Sequence, residues 1–88
     1  MLLRSTRDWG VFVRARREEQ GLTQQQLAAI SGVSREWLGR LEAGAPRLHF
    51  GRVLDVVNAL GYACRLEPVT TETAPLDDVI ADAFRTGL

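Results

Sequence analysis

Arginine is the residue type with the most capacity for binding chemistry in this chain of 88 residues. All 11 basic residues are Arg and none is Lys, so every cation carries a planar, permanently charged guanidinium fork. Only one His (His49), one Cys (Cys64) and one Tyr (Tyr62) are present, which leaves few groups for acid–base or nucleophilic catalysis. The same scarcity excludes an internal disulfide and a zinc site of the usual spacing. The sequence therefore predicts neither an enzyme nor a metal or other cofactor.

The arginines are concentrated in the first half of the chain, although the formal net charge of the whole is zero. Residues 1–47 hold eight Arg against five acidic residues, a net of +3, whereas residues 48–88 hold three Arg against six, a net of −3. This asymmetry indicates that the two halves could bind different partners. No apolar run approaches the roughly 20 residues that span a bilayer, and no apolar h-region of a signal peptide follows Arg4.

Two short helical patterns, separated by a turn that contains Gly32, lie within the positive half. Thr23 is a good N-cap for the first helix, and Ser34 caps the second, residues 35–43. Each helix has an apolar pair expected to face inward: Leu27 and Ile30 in the first, Leu38 and Leu41 in the second. Two helices of about eight residues joined by such a turn match a helix-turn-helix.

Amphipathic helices are also predicted on either side of this pair. The first opens at Ser5, the start of a capping-box pattern, and ends at Gly21. Residues 48–60 carry a wide apolar stripe that ends at Gly61. These patterns predict one helical domain over residues 1–61 that contains the helix-turn-helix.

The period of the apolar pattern changes after this domain. Residues 62–68 alternate between apolar and polar positions, which predicts a strand whose apolar side is formed by Tyr62, Cys64 and Leu66. On this pattern Cys64 is expected to be buried. A lone strand leaves its backbone groups unpaired, so we expect antiparallel pairing with the same strand of a second subunit and hence a homodimer.

The last two segments are a linker over residues 69–75 and an acidic amphipathic tail over residues 76–88. Four apolar residues at helical spacing are candidates for binding a partner: Leu76, Val79, Ile80 and Phe84. Three interpretations stay open for this tail, namely docking on a partner protein, packing on its own dimer, and disorder.

The stretch GLTQQQLAAISGVSREWLGRLEAG resembles the helix-turn-helix core of the Xre family, which includes the lambdoid phage repressors, and the match covers roughly residues 9–61. The stretches VSREWLGRLEAGAP and LGYACRLEP, with the short tail, resemble the HipB-like antitoxins of that family. The resemblance implies a mainly α, lambda-repressor-like bundle of four to five helices, followed here by the strand and the short C-terminal helix. It also implies a dimeric repressor and, for HipB-like members, a toxin partner of the HipA kinase class.

On this resemblance the second helix of the motif lies in the major groove, with its N-terminal residues towards base edges. The candidate base-reading residues are Ser34, Arg35, Glu36 and Arg40. Arg35 and Arg40 could donate to guanine O6 and N7, and Glu36 could accept from a cytosine amino group. The alternative is that these charges are solvated and touch only phosphates. Gly39 departs from the polar residue that many relatives carry, which removes a possible contact and costs about 1 kcal/mol of helix propensity relative to Ala.

Phosphate contacts are expected from residues around the motif: Thr23, Gln24, Trp37 and Arg47. Thr23 is first of all a cap, and the neighbours of Trp37 favour a half-buried packing role. Arg17 and Glu42 match family positions that pair across the fold, so they are expected to form a structural ion pair.

Two hypotheses about function follow from the resemblance. The first is an antitoxin that represses its own operon and binds a HipA-like kinase toxin. The alternative is a stand-alone Xre-type regulator, of the phage-repressor or restriction–modification controller type, without a toxin. Both imply a bacterial cytoplasmic protein, associated with the nucleoid, that binds double-stranded DNA at an inverted-repeat operator.

Overall fold

The computed structural model describes residues 2–69, and this part of the chain is a bundle of four helices. In chain order they are α1 (Thr6–Glu19), α2 (Gln24–Ser31), α3 (Arg35–Glu42) and α4 (Phe50–Ala59). Helix α1 packs on α3, and α2 packs on both α3 and α4. The mainly helical architecture, with a helix-turn-helix formed by α2 and α3, confirms the fold class at this level. Within this part of the chain, no helix is both long enough and apolar enough to cross a bilayer.

Side-chain caps fix the starts of the two helices of the motif. The Thr23 hydroxyl oxygen accepts the Gln26 N–H at 3.1 Å, and the Thr23 N–H donates to the Gln26 side-chain oxygen at 2.8 Å, which completes a capping box. The Ser34 hydroxyl accepts the Trp37 N–H at 3.0 Å. Between the two helices Gly32 has a φ of +75°, a left-handed conformation that glycine adopts without steric cost. The remaining caps are Ser5 for α1 and His49 for α4.

The core lies where the four helices meet. Its largest fully buried side chains are Leu27, Leu38, Leu41, Val13 and Val56. The predicted inward orientation of Leu38 and Leu41 is therefore confirmed. The same prediction for Ile30 is wrong, because this residue is 61% exposed. Residues three apart on a helix differ in direction by about 60°, and the contact surface of the short helix α2 covers Leu27 and Ala28 but does not extend to Ile30.

Helices α1 and α3 approach each other closely at Gly10. A Cβ atom at this position would lie 2.8 Å from the carbonyl oxygen of Glu42 and would clash with that of Leu41. Glycine at position 10 is thus required by packing within the chain.

The strand expected over residues 62–68 is not formed in the structure. A strand needs a neighbouring strand to pair its N–H and C=O groups, and none runs beside this segment among residues 2–69. Tyr62 is 40% exposed but rests edge-on against Phe12, with ring centroids 5.1 Å apart. Leu66 is 96% exposed, and Cys64 is exposed rather than buried as expected, since no second layer covers the segment. The tail over residues 76–88 lies outside the described residues.

Candidate nucleic-acid interface

The exposed face of α3 carries most of the charged side chains of the motif. Ser34, Arg35, Glu36 and Arg40, the candidate base-reading residues, are all exposed. At about 100° per residue, Arg35, Glu36 and Arg40 fall within about 140° of the helix circumference. The structure therefore brings the three charged candidates onto one face, with Ser34 at the N-terminal end of the helix.

The hydroxyl of Ser34 is partly committed to the helix. Its oxygen accepts the Trp37 N–H, so the hydroxyl hydrogen is the group that remains to donate. Ser34 is thus suited to an acceptor such as a phosphate oxygen or guanine O6 or N7, and it can serve one without giving up its cap.

Trp37 lies on the opposite side of α3 and belongs to the core. It is 4% exposed, so it is buried more deeply than the half-buried role expected from its neighbours. This burial corrects its assignment to the phosphate-contacting set, because little of the side chain reaches the surface. Trp37, Leu38 and Leu41 together form the buried side of α3.

The predicted ion pair between α1 and the end of α3 is present. Arg17 Nε lies 2.7 Å from Glu42 Oε2, and Arg17 Nη2 donates to Glu42 Oε1 at 3.0 Å. The third nitrogen of Arg17, Nη1, donates to the carbonyl of Leu22 at 2.8 Å. The side chains are 12% and 4% exposed. The hydrogen bonds to Glu42 raise the pKa of Arg17, and burial partly opposes this increase, so Arg17 stays charged across neutral pH.

Gln24, at the start of α2, joins the same network. Its side-chain nitrogen donates to Glu42 Oε1 at 3.1 Å, an interaction that the sequence analysis did not foresee. Gln24 keeps one amide hydrogen and its carbonyl oxygen for other partners. A phosphate contact from Gln24 would therefore use the remaining hydrogen, and its amide is already held in one orientation.

An open cleft of about 290 Å³ lies beside the exposed face of α3. Its lining comes from all three of the first helices and from the residue after α3: Arg14, Arg17, Gln24, Gly39, Glu42 and Ala43. Arg14 is 64% exposed, and its weak pair with Glu18 spans 3.6 Å. The sequence analysis did not predict this cleft. The one indication of it in the sequence was Gly39, whose missing side chain leaves space on α3.

The other predicted phosphate contacts lie at the surface, before and after the motif. Thr23 is exposed and acts as the cap of α2, and Arg47 is exposed in the connection between α3 and α4. Tyr62, Cys64 and Leu66, the residues predicted to form a dimer strand, lie outside the helical motif. Within residues 2–69 no cluster of His, Cys, Asp and Glu could hold a metal ion.

Comparisons with known proteins agree with the helix-turn-helix seen in the structure. A family model described as a helix-turn-helix domain matches residues 8–69, which span α2, α3, α4 and most of α1. A protein of Sinorhizobium fredii named "Uncharacterized HTH-type transcriptional regulator y4mF" is 41% identical over 59 residues. The aligned region makes up 67% of this chain and 78% of that protein.

Proposed function

This chain belongs to the helix-turn-helix domain family, a family of DNA-binding transcription regulators and not of enzymes, and we propose that it is a sequence-specific repressor whose α3 reads operator DNA. The observation that carries the proposal is the division of α3 into two sides. Arg35, Glu36 and Arg40 share the exposed side, while the apolar side is fixed in the core. A rigid helix with a charged outer face has the form that enters the major groove.

In the proposed complex, each exposed group of the motif has a distinct task. Arg35 and Arg40 each donate two parallel hydrogen bonds to guanine O6 and N7, and Glu36 accepts from a cytosine amino group. Ser34 donates its hydroxyl hydrogen to a base acceptor or a phosphate oxygen near the start of α3. These contacts supply the sequence preference.

Phosphate contacts then fix the register of α3 on the duplex. Gln24, held by Glu42, and Thr23 contact one strand at the start of α2. Arg47 contacts the backbone from the connection that follows α3. These contacts are sequence-independent and make the affinity fall as salt rises.

We further propose that the repressor is a homodimer joined through residues 62–68. The exposure of this segment and its lack of a partner strand within residues 2–69 support the proposal. Antiparallel pairing with the same segment of a second copy would satisfy the free backbone groups. The two copies of α3 would then lie about 34 Å apart, the spacing of successive major grooves on an inverted repeat.

A finer proposal is that this regulator is the antitoxin of a HipA-like kinase toxin and represses the operon that encodes both. The resemblance to HipB-like antitoxins and the negative charge of residues 48–88 support it, and the apolar residues at 76, 79, 80 and 84 supply the docking surface. The second candidate is a stand-alone regulator, which the helix-turn-helix supports equally well. A reading frame of kinase size adjacent to this gene would favour the antitoxin, and its absence would favour the stand-alone regulator. In either case the proposed site of action is the nucleoid in the bacterial cytoplasm.

Binding of the full chain to DNA tests the main proposal. Operator sequences are first selected from random duplexes, and affinities are then measured by mobility shift. Arg35→Ala should weaken operator binding by about 1–3 kcal/mol and relax the preference at one base pair. Arg4→Ala removes the same charge from an exposed residue before α1 and should leave the preference unchanged. Failure to select any sequence, or equal effects of the two variants, would refute base reading by α3.

A further inference from the structure

Gly39 occupies the middle of α3 without a conformational reason. Helix α3 has eight residues, and glycine within a helix lowers its stability relative to alanine. Gly39 is not among the glycines with positive φ, which are Gly21, Gly32, Gly44 and Gly61. Its backbone conformation is therefore one that any residue could adopt.

Packing within the described chain does not require this glycine either. A Cβ atom built at Gly39 meets no atom within 4 Å. Gly10 is the contrasting case, because a Cβ there would collide with the carbonyl oxygens of α3. The fold thus has room for a side chain at position 39 and would gain helix stability from one.

The position of Gly39 points to an outside partner that needs the space. On the helix it lies between the directions of Arg35 and Arg40, about 40° from the first and about 100° from the second. Gly39 and Ala43, one turn further on, are both small and both line the open cleft. The other lining residues are Arg14, Arg17, Gln24 and Glu42. Both oxygens of Glu42 accept hydrogen bonds from Arg17 and Gln24, so the exposed guanidinium of Arg14 is the group that favours a negatively charged ligand. A ligand can therefore approach the backbone of α3 most closely at this point.

We propose that Gly39 is a specificity-determining position, at which the edge of an operator base pair lies directly against the α3 backbone. The inference rests on the proposed function, with α3 in the major groove. Close approach at Gly39 lets Arg35 and Arg40 reach base edges on either side of the contacted pair. Any side chain at position 39, polar or apolar, would hold the helix away from those edges. Gly39 is then required for α3 to fit against the base pair, and its effect is more than the absence of one side-chain contact to DNA.

Two substitutions in the full chain separate these possibilities: Gly39→Ala and Gly39→Gln. Both should raise the midpoint of thermal unfolding, because both residues favour a helix more than glycine does. Both should also weaken binding to the selected operator, by about tenfold for Ala, the usual effect of one unfavourable base-pair contact, and by more for the longer Gln. Binding to a duplex of random sequence should change less than twofold, since such binding depends on phosphates.

Asn58→Ala is the matched control for stability. Asn58 is exposed in α4, and its replacement raises helix propensity without touching α3. This variant should unfold at a higher temperature and bind the operator as the wild type does. A gain in stability therefore cannot by itself account for a loss of affinity in the Gly39 variants.

Three results would overturn the inference. Unchanged operator affinity in Gly39→Ala would show that the space is not used. Tighter binding by Gly39→Gln would show that the glycine only omits a contact. Equal losses on operator and random duplexes would place the close approach at the DNA backbone and not at a base pair. If Arg35→Ala still weakens operator binding in any of these cases, the proposed function stands and only the role of Gly39 fails.

Discussion

The network of Arg17, Glu42 and Gln24 joins three helices through one carboxylate. Glu42 accepts two hydrogen bonds from Arg17 and one from Gln24, so both of its oxygens are satisfied. Such a pair is weak evidence of net stabilisation, because burying two charges is costly. Removing Glu42 is costly, because it leaves the largely buried guanidinium of Arg17 without its charged partner. The network therefore fixes how the start of α2 lies against α3, and this placement governs the phosphate contact proposed for Gln24.

Glu42→Gln should lower the free energy of unfolding by about 3 kcal/mol, because Arg17 loses its charged partner in a mostly buried site. Urea denaturation of the full chain measures this change. Glu18→Gln is the matched control, since Glu18 forms an exposed pair with Arg14 at 3.6 Å and should cost less than about 1 kcal/mol. Equal losses in the two variants would show that the buried network contributes no more than a surface pair.

At the scale of helices, the sequence was most informative where a local rule governs the structure. The caps Thr23 and Ser34 depend on bonds to the third residue ahead, so their pattern is readable from the chain. Ile30 was misjudged because the width of a buried stripe depends on which neighbours cover it. The bond from Gln24 to Glu42 crosses 18 positions of sequence and depends on how the helices pack. Arg17 and Glu42 are separated still further, and their pairing was foreseen only through the family resemblance.

The segment over residues 62–68 shows the same dependence on context. Its alternating pattern predicts a strand, but a strand exists only beside another, and residues 2–69 provide no second one. The exposure of Leu66 and Cys64 is what an edge awaiting a second copy would show. Whether the segment becomes a strand is therefore decided by the proposed dimer and not by the single chain.

Leu66→Pro tests the proposed pairing at this element. Proline removes a backbone N–H that a ladder needs, so the variant should be a monomer by light scattering at concentrations where the wild type is a dimer. Leu66→Thr keeps the N–H and favours strands, and it should remain dimeric. A wild-type chain that is monomeric yet binds its operator with full affinity would contradict the dimer.

For the whole molecule, the zero net charge conceals an uneven distribution of charge, which we propose reflects a division of tasks between the two halves. The excess of arginine lies in residues 1–47 and the excess of acid in residues 48–88. Arg35, Arg40 and Arg47 are exposed in the positive half, where a polyanion would be attracted. The negative half disfavours DNA and suits a protein partner, as the antitoxin proposal requires.

Removal of residues 70–88 tests that division. The shortened chain keeps all four described helices, so operator binding should be unchanged. Capture of the toxin proposed to be encoded by an adjacent gene should weaken, because the apolar residues proposed for docking are removed. Pull-down and mobility shift on the same preparation measure both effects. Full capture by the truncated chain would assign partner binding to another surface.

The most direct test of the account is protection of guanine N7 on the selected operator. Dimethyl sulfate methylates this atom in the major groove, where Arg35 and Arg40 would bind it. The wild type should protect guanines in two symmetric half-sites about one helical turn apart, and Arg35→Ala should lose protection at the same guanine in each half-site while the others stay protected. Binding without protection of any guanine, or an unchanged pattern in Arg35→Ala, would contradict the claim that α3 reads the operator.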